Sequence, residues 1–362
     1  MRDPGDLVEL VRCLTPVPGV SGNEAPVDRE ILGALAGSPG SSRLEVARDG
    51  LGSLVFRLKG DRQERRERSR VLLAAHKDTV GFVVNRVRES SVDVVAVGRP
   101  SLSGLEESVP VVIYAPGRRH GGLLQVKGKR INDQMTWRVD LDPEDSRQVR
   151  VGDPVAYGPS WDVAGDVVTT NHADDRVGCA VLLSWLANAA AGDARDLGNV
   201  DVHVAFTSQE ETGNRGGVTA ARLVRPDVAV VVDVTWEGAD VELGGGPVLT
   251  TADAGTLLSA EARDWVVDVA ASRGVPVQLE AWSIGSSDAA AVQLQGTGVP
   301  TFCLLPPSRG SHSPEEAFDA RDAARCLELL EAVVPVIDEA PVPSKRNAKV
   351  FGPLPPLESR DR

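Results

Sequence analysis

The stretch FTSQEETGNRGG, residues 206–217, decides how the fold and the chemistry of this chain are interpreted. It continues an alternating apolar run, residues 202–206, that is typical of a buried strand. Glu210 and Glu211 then place two carboxylates side by side, and such neighbours repel each other unless each has a separate role. A solvated loop explains this stretch as well as a metal ligand beside a general base does, so the remainder of the chain must decide.

Length and composition limit the possible class of protein, its number of domains and its partners. The 362 residues are 42% hydrophobic and 25% charged, which predicts one large domain and a smaller one. The formal net charge of -13 argues against nucleic acid or an anionic membrane as the main partner. No apolar run reaches about 18 residues, and the first residues lack the basic and apolar regions of a signal peptide. The four cysteines lie far apart without a CxxC pair, so we expect reduced core residues in a cytoplasmic protein.

Apolar runs of strand length alternate with helical patterns along most of the chain. The strand-like runs are residues 71–75, 202–206, 228–232 and 299–305. Continuous apolar runs suit strands that are covered on both faces, and their alternation with helices predicts a parallel sheet. We therefore expect an α/β fold whose core is a mostly parallel sheet with helices on both faces.

Residues 80–165 have a different texture, with short alternating stretches separated by glycine, proline and charge. This pattern predicts a small all-β, barrel-like domain inserted into the first domain. The expected division is a main domain of residues 1–79 and 166–340, an insertion of residues 80–165, and a loosely ordered Pro-rich tail of residues 341–362.

Candidate metal ligands recur directly after the apolar strands. They are His76, Glu211, Asp233 and His312, and Asp174 opens a helix between them. The edge of a sheet beyond the carboxyl ends of its strands is where α/β proteins bind ligands. Two histidines and three carboxylates suit a pair of zinc-like ions that share one carboxylate. Taken singly, each residue is also explained as a solvated strand end or a helix cap.

Other polar residues near these positions have weaker or supporting roles. Asp78 follows His76 by two residues and can orient its imidazole through a hydrogen bond. We expect His120 and His203 to be structural, and we assign no role to His172.

Seven segments together resemble the dinuclear aminopeptidases of the TET (tetrahedral, self-compartmentalising) family. They occur in the family's order and cover about residues 7–340. The segments are PGVSGNE (18–24), AAHKDTVGFVV (74–84), ADDRVGCAVLL (173–183), FTSQEETGNRGG (206–217), VVDVT (231–235), SSDAAA (286–291) and PPSRGSHSPEE (306–316). Each segment alone is weak evidence, whereas the ordered set is highly specific.

The resemblance implies a role for each candidate residue. His76 and Asp233 would hold one divalent ion, Glu211 and His312 a second, and Asp174 would bridge the two. Glu210 would be the general base that takes a proton from a bridging water or hydroxide, and Asp78 would orient His76. The resemblance also implies two ions per chain, with zinc ahead of cobalt or manganese, and a cis peptide bond between Asp174 and Asp175. It implies peptide substrates, a β domain used for dimerisation, and a homo-oligomer that is a dimer or a dodecamer.

Three positions depart from the family's pattern. Thr79 replaces the usual acid after the His-x-Asp motif, Lys77 replaces a commoner apolar residue, and Gly310 replaces the usual tyrosine. The changes at Thr79 and Gly310 favour a second hypothesis, a two-metal amidohydrolase that acts on a modified small molecule. A third hypothesis is a non-catalytic relic of a peptidase. A glycosidase is disfavoured, because it needs two facing carboxylates without a cluster of two histidines.

Overall fold

The computed structural model describes residues 4–59, 68–105, 107–131, 134–192, 197–238 and 240–342. Within these residues the chain forms eight α-helices and twenty β-strands, and the strands are arranged in three sheets. The Pro-rich tail predicted for residues 341–362 lies outside the described residues from residue 343 onward.

The elements follow one another along the chain with these bounds. The helices are α1 Pro4–Leu14, α2 Ala25–Ala36, α3 Pro143–Ser146, α4 Ala173–Ala191, α5 Arg215–Val224, α6 Ala260–Ser272, α7 Asp288–Gln293 and α8 Ala320–Val333. The strands are β1 Leu44–Arg48, β2 Leu54–Leu58, β3 Ser69–His76, β4 Gly81–Val87, β5 Ser91–Val97, β6 Ser108–Ala115, β7 Arg118–Gln125, β8 Lys129–Ile131, β9 Gln134–Asp140, β10 Pro154–Tyr157, β11 Trp161–Ala164, β12 Val167–Thr170, β13 Val200–Thr207, β14 Val228–Val231, β15 Thr235–Trp236, β16 Val248–Ala252, β17 Gln278–Ala281, β18 Thr301–Leu305, β19 Pro307–Arg309 and β20 Glu316–Asp319.

The largest sheet has eight strands in the order β1-β2-β13-β3-β14-β18-β16-β17. Its four central strands, β13, β3, β14 and β18, are parallel to one another. β2 joins this centre antiparallel on one side and β16 does so on the other. The predicted α/β class is confirmed, and the sheet is mixed, with its parallel strands confined to the centre.

β3 lies at the middle of this sheet because its side chains are apolar on both faces. Val71, Leu73 and Ala75 belong to one buried cluster, whereas Leu72 and Ala74 belong to another on the opposite face. This division follows from the two-residue period of a strand. Helices α1, α4 and α8 contribute to the first cluster, and α5 and α7 contribute to the second.

The second sheet has seven strands in the order β5-β4-β10-β6-β7-β9-β8, and β5 also pairs with β9. The β5–β9 pairing curls the sheet back on itself, as in a small barrel. Its interior is a separate apolar cluster that includes Phe82, Val94, Ile113 and Tyr157. The sheet therefore has a core distinct from the two cores of the eight-stranded sheet.

The third sheet has five strands in the order β11-β12-β20-β19-β15. Its strand β11 lies within the predicted insertion of residues 80–165, yet it pairs with β12 and not with the seven-stranded sheet. The chain thus leaves the seven-stranded sheet after Tyr157. Among the described residues, none of the helices combines the length and the apolar character needed to cross a membrane.

Leu73→Ala tests the central position of β3. Leu73 is fully buried, so the variant should lower the free energy of unfolding by about 2–5 kcal/mol through lost burial and a residual cavity. Leu257→Ala is the matched control, because Leu257 is 72% exposed and its truncation should cost less than about 0.5 kcal/mol. Chemical denaturation of both variants measures these changes, and equal losses would contradict the placement of β3.

Candidate metal centre

Three of the predicted site segments meet at one edge of the eight-stranded sheet. β13, β3 and β14 are parallel neighbours, and Thr207 of β13 lies opposite His76, the last residue of β3. Glu210 and Glu211 follow β13, and Asp233 follows β14. Because the carboxyl ends of parallel strands lie at the same edge, the sheet brings these side chains together.

The other two predicted ligands are carried by the five-stranded sheet. Asp174 lies between β12 and the regular part of α4, since its ψ angle of 111° is not helical. His312 lies in the loop between β19 and β20. β20 pairs with β12, with Glu316 opposite Thr170, so this sheet sets Asp174 and His312 beside each other.

The two imidazoles are held in the same way. Nδ1 of His76 lies 3.1 Å from the backbone carbonyl oxygen of Asp78, and Nδ1 of His312 lies 3.2 Å from that of Arg99. A carbonyl oxygen only accepts, so each Nδ1 donates its hydrogen and Nε2 is the ring atom left for another partner. Ligand histidines are commonly oriented by such a bond from the second ring nitrogen.

The Asp174 carboxylate lies between the two imidazoles. Its Oδ1 is 3.0 Å from Nε2 of His76, and its Oδ2 is 3.4 Å from Nε2 of His312. Nε2 of His76 is also 3.6 Å from Oδ1 of Asp233, and Nε2 of His312 is 3.2 Å from Oε2 of Glu211. All five predicted ligands therefore lie in one cluster, with Asp174 at its centre.

Two further carboxylates hold the backbone of this cluster. Oδ1 of Asp78 accepts the N–H of Glu210 at 2.9 Å, and Oδ2 accepts the N–H of Glu211 at 3.2 Å. Oδ2 of Asp78 also accepts the hydroxyl of Ser21 at 2.6 Å. The carboxylate contact with His76 expected from the sequence is longer, 3.7 Å from Oδ1 to Nδ1, so Asp78 orients that ring mainly through its backbone carbonyl.

Glu316 likewise accepts two backbone N–H groups, on the other side of the cluster. Its Oε2 accepts the N–H of Asp174 at 2.7 Å, and its Oε1 accepts the N–H of His312 at 2.9 Å. Glu316 is buried, and burial together with the charge of Asp174 raises the pKa of its carboxyl well above the ordinary value.

Asp288 accepts a hydrogen bond at each end of the loop that carries Glu210 and Glu211. It accepts the Thr207 hydroxyl at 2.5 Å where β13 ends, and the Gly217 N–H at 3.0 Å near the start of α5. Burial raises the pKa of the Asp288 carboxyl to about 6.

The two histidines of the cluster are surrounded by carboxylates. Burial lowers the pKa of His76, but Asp233, Asp174 and Asp78 outweigh it and raise that pKa well above its ordinary value. Burial likewise lowers the pKa of His312, and hydrogen bonds to Asp174 and Glu211 raise it to about 11. Burial raises the pKa of Asp174, but the two histidines outweigh it and hold it well below its usual range. The site therefore favours bound positive charge.

The donor set fits divalent ions. Atoms of His76, Asp174 and Glu211 all lie within 4.8 Å of one another, and so do atoms of His76, Asp175 and Asp233. Oε1 of Glu211 and Oδ2 of Asp175 are buried without a hydrogen-bond partner among the described residues. Such orphaned carboxylate oxygens need a cation or another donor. Imidazole and carboxylate ligands suit zinc, cobalt and manganese alike.

Glu210 is placed differently from the ligands. It is buried, and it belongs to neither group of atoms that could hold an ion. Burial raises the pKa of its carboxyl well above the ordinary value; His76 opposes this shift, whereas Asp233 and Asp288 add to it. A carboxyl with a raised pKa beside the ligands has the properties of a proton-transfer group.

The remaining histidines lie outside the cluster. His120 lies on β7, with Nδ1 2.9 Å from Oδ1 of Asp145, and His203 lies within β13. Burial and the charge of Arg176 lower the pKa of His172 to about 3, so this imidazole is neutral.

Two of the three departures from the family's pattern, Lys77 and Gly310, have local structural reasons. Lys77 is buried and its Nζ bonds to Asp28 and, at 2.7 Å, to the carbonyl oxygen of Gly52. Gly310 has a φ of 74°, and a Cβ there would meet the carbonyl oxygen of Glu315 at 2.6 Å. The loop before His312 therefore requires glycine where the resemblance implies tyrosine. Thr79 is buried, and its hydroxyl has no partner among the described residues.

Sequence reasoning missed Asp175 and Glu316. Asp175 adjoins Asp174, which is a local signal in the sequence, whereas the spacing of four residues between His312 and Glu316 does not by itself predict a contact with Asp174. The expected cis peptide bond between Asp174 and Asp175 is confirmed.

Sequence and structure comparisons relate this chain to known peptidases. The sequence pattern of the family described as M42 glutamyl aminopeptidase matches residues 52–329. A lysyl aminopeptidase of Pyrococcus furiosus is 27% identical, over 90% of this chain and 96% of the relative. The TET aminopeptidase structure of the archaeon Thaumarchaeota archaeon SCGC AB-539-E09 is 26% identical, with a TM-score of 0.81 over 91% of this chain and 96% of that one. The TET1 peptidase of Pyrococcus horikoshii, described as assembling into a tetrahedron or a large octahedral shell, shares the fold at 23% identity, with a TM-score of 0.76 over 91% and 99% of the two chains.

Zinc added to the metal-free protein should raise its midpoint of thermal unfolding. An ion that binds only the folded state stabilises it by about 2.7 kcal/mol at a hundred times its dissociation constant. Asp174→Ala should lose most of the shift, whereas Asp162→Ala, at an exposed position on β11, should keep it. Differential scanning calorimetry measures the midpoints, and an undiminished shift in Asp174→Ala would contradict the central place of Asp174.

Proposed function

The chain belongs to the M42 glutamyl aminopeptidase family, and from this membership and the site geometry we propose that it is a metal-dependent aminopeptidase that removes N-terminal residues from peptides. The family and the named aminopeptidase relatives make the chain a peptidase-class hydrolase. The number of ions, the residues that hold them and the mechanism are parts of our proposal.

The position of the Asp174 carboxylate carries the proposal. Its two oxygens face two different imidazoles, at 3.0 Å and 3.4 Å, which is the arrangement expected of a carboxylate shared by two ions. We assign His76 and Asp233 to one ion and Glu211 and His312 to the other. Asp175 lies close to His76 and Asp233, and its buried Oδ2 has no hydrogen-bond partner among the described residues, which supports an ion at the first position.

A pair of divalent ions held there would polarise the scissile carbonyl and lower the pKa of the attacking water. The chain's own residues supply the remaining parts. Glu210 would accept a proton from the water and return it to the leaving amine. Asp78 fixes the backbone of Glu210 and Glu211 together, so the base and a ligand keep a constant separation. Burial of Glu210 limits competition from bulk solvent for its proton.

A second candidate is a two-metal amidohydrolase that acts on a modified small molecule. It is favoured by Gly310, which removes a large side chain two residues before His312, and by Thr79, which removes a charge beside the His-x-Asp motif. A panel containing both aminoacyl and N-acylated substrates separates the two activities. A non-catalytic relic is disfavoured because the five proposed ligands lie in one cluster and Glu210, the proposed base, is present and buried.

Assembly and domain roles are also proposals. We propose a homo-oligomer, supported by the fold shared with the TET1 peptidase, which is described as assembling into closed shells. The seven-stranded sheet, with its own core, is proposed to be the inserted domain that mediates dimerisation. A cytoplasmic location, zinc as the native ion, and peptides as the natural substrates stay predictions.

Glu210→Gln should impair catalysis and Glu211→Gln should impair ion binding, although the two residues are adjacent. Glu210→Gln should keep both ions and lower kcat by about 10²- to 10⁴-fold, because it removes proton transfer and leaves the ligands. Glu211→Gln should lose one ion, because an amide is a poor ligand for zinc.

Elemental analysis and the hydrolysis of aminoacyl p-nitroanilides test both variants together. If Glu210→Gln retains wild-type kcat, Glu210 is not the base. If wild-type protein loaded with zinc or cobalt cleaves no aminoacyl substrate or short peptide, the aminopeptidase proposal fails.

A further inference from the structure

Glu316 is a buried carboxylate to which neither proposed ion is assigned. It is 1% exposed and stands at the start of β20, where the strand pairs with β12. Each of its oxygens accepts one backbone N–H, from Asp174 at 2.7 Å and from His312 at 2.9 Å. These are two of the five predicted ligands, and they come from segments 138 residues apart in the sequence.

The loop around His312 needs such an anchor. His312 has a φ of 70°, in the left-handed region that residues other than glycine rarely adopt. Conformations of this kind persist only where the surroundings determine them. The Glu316 carboxylate accepts the N–H of His312, and the carbonyl oxygen of His312 accepts the N–H of Ser101 at 2.8 Å. The Arg99 carbonyl oxygen accepts the hydrogen on Nδ1 of His312 and so orients the imidazole ring.

The same device is present on the other side of the cluster. Asp78 accepts the N–H groups of Glu210 and Glu211 with its two oxygens, as Glu316 accepts those of Asp174 and His312. Charge-assisted bonds of this type are roughly twice as strong as neutral ones. The neighbouring Glu315 contrasts with Glu316, because it is exposed and, among the described residues, its backbone bonds to Ser313.

We propose that Glu316 is a positioning residue that fixes the backbones of Asp174 and His312 so that their side chains converge on one divalent ion. This inference rests on the proposed function, since it concerns the same ion pair. Glu316 acts through the ligands, and its contacts are to their backbone and not to reacting atoms. Loss of Glu316 should therefore affect the ion between Glu211 and His312 more than the ion between His76 and Asp233. At the first ion, two ligands, Asp174 and His312, would lose their backbone anchor, whereas at the second ion only Asp174 would.

Glu316→Gln is the direct test. The change keeps size and shape but turns one acceptor oxygen into an NH₂ group that would face a backbone N–H. Zinc titrated into the metal-free full-length protein, in competition with a chromogenic chelator, should show one of two affinities reduced roughly ten- to a hundredfold, the usual effect of losing such a supporting partner. The other affinity should change less, and kcat should fall with little change in KM.

Two further variants make the result decisive. Glu315→Gln is the matched control and should leave both affinities and kcat unchanged. Glu316→Asp keeps the charge and both oxygens on a shorter side chain, so it should give an intermediate loss. If Glu316→Gln does not fold, Glu316→Asp decides the question by the same measurement. The absorption spectrum of the cobalt-loaded variants should differ from that of wild type for Glu316→Gln and match it for Glu315→Gln.

Several results would overturn the proposal. A folded Glu316→Gln that binds both ions with wild-type affinity and gives the wild-type cobalt spectrum excludes a positioning role. An equal loss at both ion sites, together with a lower unfolding midpoint of the metal-free protein, indicates general structural support instead. Wild-type protein that binds two ions but cleaves no aminoacyl substrate refutes the proposed function alone, because the affinities still test Glu316. Wild-type protein that binds no ion refutes both.

Discussion

Hydrogen bonds from backbone amides to two buried carboxylates, Asp78 and Glu316, are the interactions on which the site depends. The cluster gathers acidic side chains that repel one another in a setting with little water to screen them. Asp78 ties together the backbone of Glu210 and Glu211, and Glu316 ties together that of Asp174 and His312. The protein thus holds ionisable side chains near one another because their own backbone N–H groups are hydrogen-bonded to these two carboxylates.

The fold brings the parts of this cluster together from two sheets. The parallel centre of the eight-stranded sheet ends at one edge with His76, Glu210, Glu211 and Asp233, because β13, β3 and β14 share direction and register. The five-stranded sheet contributes Asp174 and His312 through the pairing of β12 with β20. The seven-stranded sheet takes part too, since the Arg99 carbonyl from the segment after β5 orients the His312 ring. Three sheets therefore converge on one centre.

Much of the core could be predicted from the sequence, because its signals are local. The apolar run 71–75 identified β3, and strand ends followed by His or acidic residues identified His76, Glu211 and Asp233. Glu316 could not be found in this way, because its bond to Asp174 joins residues 142 positions apart. The sequence predicts only part of the role of Asp78, since its contacts with Glu210 and Glu211 depend on how two strands align. The predicted insertion includes β11, because the pattern of a single strand does not reveal which sheet the strand will join.

The proposed pair of ions is tested most directly by anomalous diffraction at the zinc absorption edge, from crystals of the full chain grown with zinc. Two ions held by this site should give two peaks about 3.5–4 Å apart, the separation of paired ions in two-metal hydrolases. One peak should lie against His76 and Asp233 and the other against Glu211 and His312, with Asp174 touching both. A single peak, or two peaks that do not share Asp174, would show that Asp174 does not bridge a pair of ions.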